Sequence, residues 1–101
     1  MESNMEQYPE LEQFIGAYFI EDFDIFGETI EEIALCYKRV AGTARIQQAC
    51  LEMDKFIADN KVGADVAFAE RWGSFDPALW GHTTASFFDE LKRILNCPRI
   101  A

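Results

Sequence analysis

The chain has 101 residues, the length of one domain, and half of them are hydrophobic, with 14% aromatic. That is enough apolar surface to bury a core, which excludes a disordered chain and sets the expectation of one domain over residues 1–101. A formal charge of −9, from 18 Asp and Glu against 9 Lys and Arg, argues against direct nucleic-acid binding, because gripping a phosphate backbone needs the opposite sign.

Pro9 suits a first helical position, and Leu11, Phe14, Ile15, Tyr18 and Phe19 recur at three- and four-residue steps, which predicts a first helix with one apolar face. Thr29 with Glu32 three residues on forms a capping box for a second helix, whose stripe is Ile30, Ile33, Ala34, Tyr37 and Val40 and whose stop is Gly42. Thr43 caps a third, carrying Ile46, Ala49, Cys50, Met53, Phe56 and Ile57 as far as Asn60 and Gly63. The short links predict antiparallel neighbours. Asp65 is placed to cap a short helix holding Val66, Phe68, Ala69 and Trp72. Residues 73–83, GSFDPALWGHT, contain two glycines and an Asp-Pro step, and read as a loop pinned by Phe75 and Trp80, in which Pro77 can open a single helical turn. From Thr83 or Thr84 a last helix runs to about Asn96, with Phe87, Phe88, Leu91, Ile94 and Leu95 inward and Pro98 beyond its end. No strand pattern stands out, so the expected fold class is all-α, a compact bundle of about four to five helices.

No segment approaches the ~18 continuous apolar residues of a membrane span, and the opening MESNMEQ is acidic where a secretory signal is basic and then apolar. Cys36, Cys50 and Cys97 form no C-x-x-C pair and are odd in number, which fits a reduced, cytoplasmic protein. Cys36 and Cys50 lie on or beside helical apolar stripes and read as small buried hydrophobes.

The charge is unevenly spread. Residues 1–37 hold ten acids and no Lys or Arg, whereas residues 38–101 hold the other eight acids and all nine bases. A one-signed field of this kind steers association with a basic partner, although a solvated helical face would leave the same composition. Within it, the run FIEDFDIFGETIEE at 19–32 alternates Glu21, Asp22, Asp24 and Glu28 with Phe23, Ile25 and Phe26. Aligned as a calcium loop on Asp22, it places Phe26 and Ile33 at the fifth and twelfth ligand positions, where oxygen donors are required, so the calcium reading fails. Acids interleaved with aromatics serve recognition better, unless Phe23 and Phe26 only pack a helix corner. His82 lies in a turn with no nucleophile at a recognisable spacing, and no phosphate loop, H-E-x-x-H or G-x-S-x-G motif is present. The expectation is a binding protein and not an enzyme, with no metal and no cofactor.

Tyr8, Pro9, Leu11, Gln13, Phe14, Gly16, Tyr18, Phe19, Asp22 and Phe23 follow an order that resembles the opening of the CdiI-type immunity proteins of bacterial contact-dependent growth inhibition systems. The resemblance implies a stoichiometric inhibitor that binds the C-terminal toxin domain of its cognate CdiA-type effector. Many such toxins are nucleases, whose basic groove the acidic third would complement. On this reading Glu21, Asp22, Asp24, Glu28, Glu31 and Glu32 form the steering surface, with Phe23 and Phe26 as anchors. An alternative face is the 73–83 loop, from which Phe75, Trp80 and His82 would project. An acidic adaptor or nucleic-acid mimic acting on a basic host protein is the alternative function.

Overall fold

In the computed structural model, which describes residues 8–21, 27–73 and 75–96, Pro9 opens α1 (Pro9–Gln13). Pro9 starts it well because its φ is preset and it has no N–H to leave unpaired. The chain runs on directly into a π-helix, Phe14–Glu21. Its i→i+5 bonds widen the turn, so side chains four and five apart share a face. Phe14, Ile15 and Phe19 are therefore buried together, with Tyr18 half-covered beside them. The apolar face expected from the sequence is present, on a wider helix than three- and four-residue steps imply.

Helix α2 (Ile30–Asp59) starts at its expected cap: Thr29 Oγ1 accepts the Glu32 N–H at 3.1 Å. The return bond lands one residue upstream, since Glu32 Oε1 accepts the Glu28 N–H at 2.7 Å. A Cβ on Gly27 would lie 2.5 Å from the Glu32 Cβ, so the approach of this loop to the helix requires glycine. A straight helix of 30 residues would be about 45 Å long, whereas the molecule measures 31 × 31 × 28 Å. The difference is taken up at Gly42, where φ 82° and ψ 169° break the helix. The two arms fold back far enough for the Tyr37 hydroxyl to reach the Arg45 carbonyl at 3.4 Å. The expected stop at Gly42 is present, and the helix that follows it bends back toward the first arm.

Helix α3 (Ala64–Trp72) has Gly63 at its N-cap with no side-chain bond. Asp65, expected to cap it, instead accepts the Thr84 N–H at 2.8 Å. This bond holds its carboxyl below the usual range and gives the first turn of α4 a cap from another helix. A 3₁₀ turn, Pro77–Trp80, follows. Helix α4 (Thr84–Leu95) begins in a Thr83–Ser86 capping box and ends at Asn96 in the left-handed conformation. Lys38 Nζ donates to the Ile94 carbonyl at 3.2 Å there. Among the described residues there is no strand, and the fold is the all-α bundle expected.

The core is dense in rings. Phe14 stacks on Tyr37 at 3.9 Å, and Phe56 meets Tyr8, Trp72 and Phe88 at 5.2, 5.6 and 5.8 Å. One charged group sits among them. Glu52, 3% exposed, accepts the Leu11 N–H at 2.8 Å with one oxygen and the Gln48 amide at 2.8 Å with the other. The α2 side chain thereby satisfies an orphan donor in the first turn of α1. Cys50 is buried and disulfide-bonded, which corrects its reading as a small apolar filler in a reduced chain. Cys97 lies outside the described residues.

Tyr8 and Tyr37 give the fold an alkaline limit. Burial, then the hydrogen bond to Asp59 and its charge, pushes the Tyr8 phenol from 10.0 to about 12. Burial, then the hydrogen bond to Glu10, pushes Tyr37 up as well. Because the folded state holds the neutral form, this stability is whole below pH 10 and is lost as pH rises through about 12. Unfolding followed by circular dichroism should show constant stability up to pH 10 and a fall above it, together with late tyrosinate absorbance. A fall that begins near pH 8 would contradict it.

Candidate partner-binding site

Of the residues expected to meet a partner, Asp22, Phe23, Asp24 and Phe26 lie outside the described residues, and Glu21 closes the π-helix. Glu28, Glu31 and Glu32 are exposed at the start of α2. A helix N-terminus carries partial positive charge, so carboxylates sit there at little cost to stability. Glu32 is committed to the cap, whereas Glu28 and Glu31 pair with no described base.

Other acids of the first third are spent internally. Glu10 accepts the Tyr37 hydroxyl at 2.5 Å and the Arg45 Nε at 3.0 Å. Glu12 pairs with Arg71 and accepts the Trp72 indole N–H at 3.1 Å. Sequence composition counted these as steering charge. Their partners, 35 and 60 residues away, make them braces from α1 to α2 and α3.

The 73–83 segment departs from the expectation that Phe75, Trp80 and His82 project. Phe75 is 6% exposed and packs on Phe87 and Phe19 at 5.1 and 5.2 Å. The outward residues are Leu79, 84% exposed, and Trp80, 37% exposed. In a 3₁₀ turn residues three apart eclipse, so Trp80 lies over buried Pro77 and stays partly covered while Leu79 faces water. The signal for Leu79 was present in the Asp76-Pro77 turn opener, but which side of that turn faces inward depends on where Phe75 packs. His82 is half-buried with Nδ1 3.0 Å from Ser86 Oγ, a partner four residues on that spacing had not suggested. That hydroxyl already accepts the Thr83 N–H at 2.9 Å in the α4 capping box, so it serves the helix end.

The 3₁₀ turn meets the end of the π-helix through a chain of ring contacts. Trp80 touches Phe75 at 6.1 Å, and Phe75 touches Phe19 near the end of the π-helix that leads into the acidic run. On the other side of α4, Glu90 is held below the usual carboxylate range chiefly by its Arg93 hydrogen bond, with the nearby His82 charge adding. Arg93 is held up chiefly by Glu90, with Glu31 adding its charge. Only the Glu90–Arg93 pair among these is a direct contact.

A separate cavity of about 600 Å³ lies against Tyr8, Phe56, Lys55 and Asp59. Three of its polar groups are bonded to one another: Asp59 accepts from the Tyr8 hydroxyl at 2.7 Å and from Lys55 at 3.0 Å. Among the described residues no three His, Cys, Asp or Glu side chains gather as metal ligands, and no helix is long and apolar enough to cross a membrane.

A protein-family model described as CdiI immunity protein matches residues 7–95. The chain belongs to the CdiI immunity protein family. No curated protein and no solved structure matches it. Membership implies an immunity function, the neutralisation of a toxin of contact-dependent growth inhibition. In this CdiI-family chain four of the residues that carried the resemblance, Tyr8, Leu11, Phe14 and Phe19, are each at most 2% exposed and build the core, whereas Pro9 and Gln13 are exposed.

Proposed function

We propose that this CdiI-family protein neutralises a basic toxin domain of the nuclease type, binding it one to one through the surface that joins the start of α2 to the 3₁₀ turn. The observation that carries this reading is the distribution of paired acids. Glu10 and Glu12 are neutralised by Arg45 and Arg71, whereas Glu28 and Glu31, at the opposite end of the acidic third, pair with no described base and are exposed. The free negative charge thereby stands at the start of α2, directly after the 21–26 run in the sequence, whose Glu21, Asp22 and Asp24 are proposed to add charge and whose Phe23 and Phe26 are proposed to add apolar contacts. A nuclease must present a basic groove to a polyanion, and that groove is the complement of this surface. The role is inhibition by binding, without turnover and without a cofactor.

Rim charges act mainly on encounter. The Glu28→Lys/Glu31→Lys double variant is expected to slow association with the toxin domain encoded immediately upstream by about tenfold at low salt, and to flatten the salt dependence. The dissociation rate should change less than about threefold. Surface plasmon resonance across a salt series measures both. An unchanged association rate at low salt would remove the electrostatic part of the proposal.

A further inference from the structure

Exposed ion pairs contribute only about 0.2 to 1 kcal/mol each, so charge brings two proteins together without holding them. Nanomolar affinity, about −12 kcal/mol, needs desolvated apolar contact as well. The described surface offers few places for it. Leu35, Val40, Leu51, Val62 and Val66 are also exposed, on helices or at a helix end. Leu79 and Trp80 differ, because they are adjacent and their backbone is fixed.

That fixation is the decisive feature. Asp76 Oδ1 accepts the Ala78 N–H at 3.0 Å, and the Leu79, Gly81 and His82 N–H groups donate to the Asp76, Ala78 and Pro77 carbonyls at 3.0 to 3.1 Å. Gly81 at φ 83° closes the turn, and the buried Phe75 and Pro77 hold its inner side to the core. The backbone donors of Ala78, Leu79, Gly81 and His82 are all bonded, so the turn presents Leu79 and Trp80 in one geometry. A partner that covers them loses little conformational freedom on binding. The fold itself gains nothing from Leu79, which is 84% exposed.

We infer that the Leu79–Trp80 pair is the affinity anchor of this immunity protein, inserting into an apolar recess on the toxin domain that is rimmed by basic groups. The recess is assigned a basic group at its rim because Asp76, which caps the same turn, is exposed beside the pair. The inference rests on the toxin-binding reading above and extends it by naming where the complex is held. Charge at the start of α2 sets the association rate, and the anchor sets the lifetime.

The test is the kinetics of binding to the purified toxin domain encoded immediately upstream, for the unaltered chain, Leu79→Ala, Leu79→Lys, and the Leu79→Ala/Trp80→Ala double variant. Leu79→Ala is the safe variant for folding, and circular dichroism confirms the helix content of each. The double variant is expected to dissociate at least about a hundredfold faster, with association within about threefold. Leu79→Lys, which sets a like charge against the basic rim, should be worse than Leu79→Ala. Val62→Ala, which removes an equally exposed apolar side chain elsewhere, should leave both rates unchanged. With 5-fluorotryptophan in place of the two tryptophans, the Trp80 resonance should shift on complex formation and that of buried Trp72 should not. Tight binding by the unaltered chain with dissociation of the double variant within about threefold would overturn the anchor and leave the immunity reading standing. No binding by the unaltered chain would overturn both.

Discussion

Phe56→Ala is expected to lower stability by about 3 to 5 kcal/mol, the cost of deleting a large buried aromatic that its neighbours cannot replace. Phe56 is 1% exposed and sits where α1, α2, α3 and α4 converge, against Tyr8, Trp72 and Phe88 at 5.2 to 5.8 Å. A domain of this size has about 5 to 15 kcal/mol in total, so the variant should spend a measurable fraction of its time unfolded at 37 °C. Urea unfolding followed by the fluorescence of buried Trp72 reads the loss. Cells carrying the variant should lose protection although every acidic surface residue is intact, and a loss below about 1 kcal/mol would show that the four helices do not share this contact.

The second large effect is expected at Glu52. Glu52→Leu keeps the volume but leaves the buried Leu11 N–H, now bonded at 2.8 Å, without an acceptor, at a cost of about 1 to 3 kcal/mol. Glu52→Gln retains an amide oxygen for that N–H and should cost less than Glu52→Leu. The order of the two variants separates hydrogen bonding from packing. If Glu52→Leu were as stable as the unaltered chain, Glu52 would not be the cap that ties α2 to α1. Hydrogen exchange at the Leu11 amide gives an independent reading, since protection there should fall first in the leucine variant.

Much of the fold was legible because local chemistry and global packing agree. Thr29, Gly42, Thr83 and the stripes around Phe56 and Leu91 act within a few residues of themselves, where sequence spacing is a direct measure of position. The misreadings share a different cause. Asp65 bonds Thr84, 19 residues on, and Glu52 bonds Leu11, 41 residues back, so neither role has a local signature. The π-helix was hidden because eight residues, Phe14–Glu21, are too few for apolar spacing to separate a wider turn from an ordinary one. At the candidate site, net charge was legible but its availability was not. Whether a glutamate steers or braces depends on which arginine the fold brings beside it, as Glu10 and Glu31 show in opposite ways. Phe75 was open to two readings, pin or projecting contact, for the same reason, since only the core decides which side chain of a short turn is covered.

The pinned turn also separates two kinds of inheritance within one small protein. Phe75, Pro77 and Gly81 hold the turn in place, while Leu79 and Trp80 only ride on it. Substituting the riders changes what the surface fits and costs the fold little, whereas substituting the supports changes both. A lineage facing a succession of toxins can therefore alter its specificity one exposed side chain at a time, passing through folded intermediates at each step. Cross-protection between neighbouring strains would then be decided by a few outward positions on an otherwise shared scaffold.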